Sequence, residues 1–526
     1  MKHVQRAGRV PGQIGAPSGT SRPVFIALLM LLTAALAAAA PAPLAAQLGR
    51  RATRVLDSLL DSPPLERALW GVALLDDRGK LLFGRNADRL FIPASNTKLV
   101  VSAVASSLLP GDVRVKTSVY AAGPVVDGAV QGDLVLYGRG DPTFGKRCYA
   151  TDTLLPGACD RDPLDRLRDL ARTLHGAGVR TVVGDLVGDG SWFDAEILHP
   201  AWENYDLSWW FAAPVSGLGF NDNSVDITWG PGPAVGAPAV LSFTPDLGDV
   251  TLENRTVTVA AGGTSDIGDR MFREPGTLRL WAEGTVAVDA RGGLESFAMP
   301  DPALFTARAF RQALAEAGIS VQGTTRSTTD SLRYRHLRLT PALAEVEGRP
   351  LRDWIFPILN TSQNWYADML LKQLGRQFGV AGSWDEGRQV ERRFLIDSVG
   401  IDSTLVAVDD GSGLSAANLV APMAFAQLLR YIRTHRGWET FRPGLPQAGN
   451  TGSLRNRFRG TLLEGAVEAK TGSIARVNTL SGYFTVDGKT YTFSVMANHH
   501  VAGGRRAIAQ IDSVVVAMAR AVKRGR

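Results

Sequence analysis

Cysteine is nearly absent from this chain, which has only Cys148 and Cys159 among 526 residues. Two cysteines alone cannot make a tetrahedral zinc site, and neither lies in a pattern typical of a catalytic thiol. Because they are close in sequence and the chain's start indicates export, we predict a local disulfide, with two free thiols as the alternative. The adjacent His499 and His500 have no further ligand at metal spacing, so we predict no metal.

Long runs of one charge are also missing. The chain carries 57 Lys+Arg and 51 Asp+Glu, interspersed, with a net charge of +6. A nucleic-acid binder usually gathers its basic charge into a stripe, so we predict no nucleic-acid partner. The basic excess suits an enzyme acting on an anionic polymer, or an ordinary solvated surface. Two similar segments, 131–141 and 183–194, lack the Gly-Lys-Ser/Thr ending of a phosphate loop, and we predict no cofactor.

A second long apolar run does not occur after Ala40, so no later segment is predicted to span a membrane. Near the N-terminus, basic residues precede an apolar run over 24–40, and small residues follow over 41–47. This order is typical of a cleavable signal peptide, which we place at 1–46, with a membrane anchor as the alternative. We therefore expect a periplasmic or other extracytoplasmic protein in the cell-wall space.

The length exceeds one ordinary domain, and the two ends of the chain differ from its middle. Residues 69–86 alternate like a β-hairpin, while 365–378 and 504–523 are predicted helices. From about 112 to 331 the chain is rich in Gly, Val, Thr and Asp, with short alternating runs. We predict an α/β body interrupted by a β-rich insert, so that its two ends meet around one site.

Ser95 and Lys98 carry the first candidate chemistry. Three residues apart on the helix predicted after Pro93, their side chains share a face. A serine hydroxyl needs a base beside it, and a lysine serves when desolvation lowers its pKa. Alone, however, Ser-x-x-Lys also fits an N-cap serine and a surface lysine.

Two later segments supply partners for that pair. Ser362 and Asn364 stand before a predicted helix, where they could relay a proton and hold the lysine, or only cap the helix. Lys470, Thr471 and Gly472 lie on a predicted strand that could bind a carboxylate and pair with an extended substrate, or be only an exposed polar strand. The backbone N–H groups of Ser95 and Ser473 are candidates for an oxyanion hole. The order Ser-x-x-Lys, Ser-x-Asn, Lys-Thr-Gly is the signature of penicillin-binding proteins and serine β-lactamases.

Four longer segments identify one family among the proteins that share these motifs. They are IPASNTKL, GDLVLYGRGDPTF, NTSQNWYADMLLKQLG and AKTGSIARVNTLSGYF. The chain resembles the D-alanyl-D-alanine carboxypeptidase/endopeptidase family, class C low-molecular-mass penicillin-binding proteins of the peptidase S13 type. Gln363 departs from the Asp common in the middle of the second motif. The resemblance covers nearly the whole mature chain, and the long gap between Ser95 and Ser362 fits two nested inserts.

The resemblance implies a penicillin-binding-protein/serine β-lactamase-like transpeptidase domain, in which helices flank an antiparallel sheet. We place this catalytic domain at 48–110 and 331–526, one insert at 111–192 and 286–330, and a nested β-rich insert at 193–285. It also implies cleavage of D-Ala-D-Ala stem peptides or cross-links of peptidoglycan through a Ser95 acyl-enzyme, and acylation by β-lactams. Lys98 would be the base, Ser362 the proton relay, Asn364 the orienting group, and residues 470–472 the carboxylate site.

Three other functions fit parts of the pattern. A serine β-lactamase shares the three motifs, but no Glu-x-x-Leu-Asn follows Ser362 to supply the deacylating glutamate of the class A enzymes. An esterase of the same fold is the second. The third is a penicillin- or wall-binding module without activity, which the intact nucleophile and base disfavour. Trp192 and Asp194 are minor candidates for contacting the stem peptide, and the segment GSGLS (411–415) is interpreted as a turn.

Overall fold

The protein is represented by a computed structural model that describes residues 48–145 and 162–524. The predicted signal peptide and the predicted disulfide between Cys148 and Cys159 lie outside the described residues. Within the described part of the chain, no helix is both long and apolar enough to cross a bilayer.

Helices and strands alternate at the two ends of the chain, and strands dominate its middle. The helices are α1 (Arg50–Leu60), α2 (Lys98–Leu108), α3 (Asp165–Gly176), α4 (Pro302–Glu316), α5 (Leu351–Asn360), α6 (Asn364–Phe378), α7 (Trp384–Arg393), α8 (Pro422–Thr434), α9 (Trp438–Phe441) and α10 (Gly504–Arg524). The first strands are β1 (Leu69–Leu75), β2 (Leu81–Arg85), β3 (Lys116–Ala121), β4 (Val125–Val126), β5 (Ala129–Val130), β6 (Leu134–Tyr137), β7 (Thr181–Val182) and β8 (Leu186–Asp189). The next are β9 (Ser224–Gly230), β10 (Val240–Thr244), β11 (Thr251–Val259), β12 (Met271–Arg273), β13 (Arg279–Ala287), β14 (Gly293–Ala298), β15 (Ser320–Val321), β16 (Thr325–Thr328) and β17 (Ala344–Glu347). The last are β18 (Val406–Ala407), β19 (Leu419–Val420), β20 (Val467–Ile474), β21 (Val477–Val486) and β22 (Lys489–Asn498).

One antiparallel sheet joins the beginning and the end of the described chain. Its strand order is β2-β1-β22-β21-β20, and Leu69 of β1 lies opposite Asn498 of β22. Successive side chains of a strand point to opposite faces. Phe493 and Val495 therefore pack in the core under α1 and α10, while Met496 packs with the helices of the other face. The predicted fold class, an antiparallel sheet flanked by helices, is confirmed.

The middle of the chain forms smaller sheets. The two similar segments noted in the sequence lie side by side, because β6 pairs in parallel with β8 in a five-stranded sheet of order β16-β8-β6-β3-β17. A four-stranded sheet (β15-β7-β5-β4) and two three-stranded sheets (β10-β9-β14 and β11-β13-β12) complete this region. The domain boundaries stay a prediction; β17 pairs with β3 although its residues fall in the range predicted as catalytic.

Candidate active site

Ser95 lies in a single 3-10 turn, Ala94–Thr97, that runs directly into α2. Ala94 adopts φ 48°, a left-handed conformation that is unfavourable for a residue with a Cβ. Such strain persists where the surrounding structure enforces it, and it is common beside functional groups. The turn leaves Ser95 partly exposed, while Lys98, the first residue of α2, is fully buried. Lys98 Nζ lies 2.9 Å from Ser95 Oγ.

The surroundings of Lys98 suit an uncharged amine. Its Nζ donates to Asn364 Oδ1 and to the backbone carbonyl of Ser412, each at 2.6 Å. A free amine has two hydrogens and one lone pair, so these two acceptors leave the lone pair for the Ser95 hydroxyl. Burial lowers the Lys98 pKa from 10.5 to about 7, against the opposing charges of Asp368 and Asp410. The base form is therefore well populated near neutral pH.

The second motif occupies the short link between α5 and α6. Ser362 has φ 66°, which turns its hydroxyl toward β20, where Lys470 Nζ donates to its Oγ at 2.9 Å. Asn364 begins α6, and its Nδ2 donates to the Phe211 carbonyl at 2.7 Å. The Asn364 side chain thus contacts both the buried Lys98 and the short 3-10 helix Trp210–Ala212 of the middle region.

Gln363, the departure from the family pattern, has structural contacts on both sides. Its Oε1 caps α6 by accepting from Trp365 N at 2.8 Å, and its Nε2 donates to Asp222 at 2.7 Å. Asp222 lies in a buried turn with φ 55°. Gln363 therefore ties the second motif to the middle region, a contact that the sequence did not reveal.

The third motif lies on β20, an edge strand of the sheet β2-β1-β22-β21-β20. Lys470 is fully buried, and burial followed by the charge of Lys98 holds the Lys470 pKa well below its usual value. Thr471 Oγ1 donates to Ser453 Oγ at 2.9 Å, and Ser473 Oγ accepts from Asn478 at 3.1 Å. Thr471 and Ser473 are two positions apart, so their hydroxyl groups lie on the same face of the strand.

Gly472 lets β20 approach the turn that carries Ser95. A Cβ at this position would lie 2.6 Å from the carbonyl oxygen of Pro93 and 2.2 Å from Thr479 Oγ1. Neither distance is tolerable, so any side chain here would push the strand from the Ser95 turn. The absence of a side chain at Gly472 therefore makes room for the Pro93 carbonyl, in addition to the predicted pairing of this strand with an extended substrate.

The segment GSGLS (411–415), interpreted from the sequence as a turn, contributes a hydrogen-bond acceptor to Lys98. Its Ser412 carbonyl is held toward Lys98 by Asp410, whose oxygens accept from Gly413 N at 2.7 Å and Ser415 N at 2.8 Å. Asp368 accepts from the neighbouring Gly411 N at 2.8 Å. The dense Asp, Ser and Gly composition was the available signal, but a carbonyl acceptor leaves no trace in residue identity.

Three further residues considered in the sequence analysis, His500, Trp192 and Asp194, form contacts outside the three motifs. His500 is buried, with Nε2 3.0 Å from Asn478 Oδ1, and the described residues contain no cluster of His, Cys, Asp and Glu suited to a metal. Trp192 donates to Gln373 at 2.8 Å, and Asp194 accepts from the buried Lys372 at 2.6 Å. Both minor candidates therefore face α6.

Comparison with known proteins gives a consistent result. The family described as D-Ala-D-Ala carboxypeptidase 3 (S13) matches residues 52–518. A D-alanyl-D-alanine carboxypeptidase from Actinomadura sp. (strain R39) is 32% identical over 525 residues, covering 97% of this chain and 92% of its own. Penicillin-sensitive carboxypeptidase A from Dictyostelium discoideum is 25% identical over 463 residues, 83% of each chain. The crystal structure of penicillin binding protein 4 from Haemophilus influenzae shares the fold, with a TM-score of 0.72 at 21% identity over 88% of this chain and 97% of that one.

Proposed function

Because this chain belongs to the D-Ala-D-Ala carboxypeptidase 3 (S13) family of serine peptidases, we propose that Ser95 is its nucleophile and that it hydrolyses the terminal D-Ala-D-Ala bond of peptidoglycan stem peptides. One observation carries the proposal. Groups from three distant stretches of chain meet through short contacts, Ser95 with Lys98, Lys98 with Asn364, and Ser362 with Lys470. A nucleophile, a buried amine and a second lysine are the parts that amide cleavage needs.

The proposed reaction begins when the free amine of Lys98 takes the Ser95 proton and Ser95 Oγ attacks the carbonyl carbon of the penultimate D-Ala. The N–H groups of Ser95 and Ser473 hold the resulting oxyanion, and one such donor is worth about 3–4 kcal/mol. Ser362 then passes its proton to the departing amine of the terminal D-Ala and takes in return the proton that Lys98 had accepted, so the C–N bond breaks and Lys98 is again a free amine. Lys98 next takes a proton from the water molecule that attacks the acyl carbonyl, and it returns this proton to Ser95 Oγ as the shortened peptide leaves.

We assign substrate binding to β20 and to the second motif. The terminal carboxylate is assigned to Lys470, whose Nζ lies 2.9 Å from Ser362 Oγ, and to Thr471, the next residue of β20, whose Oγ1 lies 2.9 Å from Ser453 Oγ. Gly472 lies between these groups and the N–H of Ser473, so an extended peptide can run along this edge as an added strand. Asn364, already bonded to Lys98, orients the substrate amide.

The same site would accept related bonds. A penicillin presents a strained amide and a carboxylate, so we propose that it acylates Ser95. A D-Ala bond within a peptidoglycan cross-link would give endopeptidase activity. The chain would act outside the cytoplasmic membrane, in the periplasm or the wall space, after loss of the predicted signal peptide.

Mass spectrometry of muropeptides incubated with the purified enzyme tests the proposal. Pentapeptides should lose one D-Ala, cross-linked dimers should be cut if the endopeptidase reaction occurs, and Ser95→Ala should do neither. Labelling by fluorescent penicillin should be lost in the same variant, and its survival would remove the nucleophile assignment. Rapid nitrocefin turnover without release of D-Ala would instead indicate a β-lactamase.

A further inference from the structure

A large cavity opens between α1, α10 and the segment 456–461, apart from the catalytic groups. Its volume is about 1040 Å³, and no residue of the three motifs lines it. We call it the arginine groove, after the six arginines among its lining residues, namely Arg50, Arg51, Arg457, Arg459, Arg520 and Arg524. Nothing in the proposed peptidase reaction uses this groove.

The charge of the arginine groove is strongly one-sided. Against six guanidinium groups it has one carboxylate, Asp512, which gives a formal charge of +5. Asp512 is already engaged, since its Oδ1 accepts from Arg457 at 2.5 Å. The other five arginines form no ion pair with any of the described residues, 48–145 and 162–524. Gathered guanidinium groups repel one another, and they match phosphate or carboxylate groups on a partner.

The floor of the arginine groove is apolar. Leu59, Phe458, Val516 and Ala517 contribute to its lining, and Val55 of α1 is 49% exposed within it. A sugar polyanion would be bound through its charges and would gain little from exposed aliphatic carbon. A cationic rim around an apolar floor instead matches an amphiphile that carries a phosphate next to hydrocarbon.

We propose that the arginine groove binds anionic phospholipid and so docks the enzyme on an anionic membrane surface. The lipid phosphate contacts Arg51 and Arg520 at the rim, and the adjoining glycerol and acyl carbons cover Val55. This inference is independent of the peptidase proposal, because the groove lies outside the catalytic cluster. Each basic residue near an anionic membrane contributes about fivefold to binding.

Vesicle sedimentation tests the docking, using the exported protein with its N-terminus verified by intact mass. Wild type should bind vesicles containing phosphatidylglycerol and not pure phosphatidylcholine vesicles. Arg51→Glu/Arg520→Glu should weaken binding at least about 25-fold. The control, Arg291→Glu/Arg335→Glu, makes the same charge change at exposed sites outside the groove and should bind as wild type. Unchanged penicillin labelling shows that each variant is folded.

Two further measurements distinguish binding of a lipid from binding of other anions. Val55→Ser keeps the charge and should still weaken vesicle binding several-fold, because it removes apolar contact. Dextran sulfate, a soluble polyanion, should bind more weakly than the vesicles at equal charge. The proposal is overturned if wild type ignores the anionic vesicles, if the control variant loses binding equally, or if the polyanion binds and the vesicles do not.

Discussion

The rate at which penicillin acylates Ser95 should depend on pH with a midpoint near pH 7. In the proposed mechanism the free amine of Lys98 takes the Ser95 proton, and burial lowers the pKa of Lys98 to about 7. About 90% of Lys98 is then uncharged at pH 8 and about 1% at pH 5. The second-order rate constant of acylation should therefore fall about 90-fold from pH 8 to pH 5. A plot of its logarithm against pH should have a slope near one below pH 6.

Rapid-mixing measurements with a fluorescent penicillin give this profile. Asp368, whose own pKa burial raises to about 7, titrates together with Lys98, so the midpoint belongs to the pair. The Asp368 carboxylate raises the Lys98 pKa, so Asp368→Asn should move the midpoint to lower pH. A flat profile from pH 5 to 8, or a midpoint above pH 9, would refute a desolvated lysine as the base.

Three substitutions test other parts of the site. Gly472→Ala should lower the melting temperature and slow acylation at least about tenfold, because its Cβ would displace the Ser95 turn, while Gly503→Ala, in open space, should do neither. Gln363→Ala removes a helix cap and a buried bond and should lower the free energy of unfolding by about 1–3 kcal/mol in urea melts, against no effect for the exposed Gln389→Ala. Ser453→Ala leaves Thr471 without its hydroxyl partner and should raise KM about fivefold at unchanged kcat; an unchanged KM would show that the contact with Ser453 does not support the proposed binding of the carboxylate by Thr471.

The elements that carry the site follow from local sequence. Alternation around Asp77–Gly79 predicts the β1–β2 hairpin, Pro93 and the apolar spacing predict α2, and Asp487–Gly488 predicts the turn between β21 and β22. Each signal lies within about 20 residues, the range over which periodicity and turn chemistry act. Three linear motifs then identify Ser95, Ser362 and Lys470 as candidates, and their assembly is a long-range result.

What the sequence could not predict depends on contacts between distant backbone groups. The carbonyl of Ser412 accepts from a lysine 314 positions away, and any residue type has such a carbonyl. Ala94 and Ser362 hold positive φ although neither is glycine, because the packing around them enforces it. The parallel pairing of β6 with β8 is likewise a choice of register that two similar segments do not fix.

The pairing of β1 with β22 has a consequence for biogenesis. A chain synthesised from its N-terminus presents Leu69 long before Asn498, so β1 can pair early with β2 but obtains its second partner strand, β22, only more than 400 residues later. Lys470 lies on β20, which is joined to β1 only through β21 and β22, so this sheet is continuous only when almost the whole polypeptide has emerged. A nascent or truncated product that ends before β22 would lack the strand that joins β1 to β21, so we expect the proposed hydrolase activity only after β22 has been synthesised and paired.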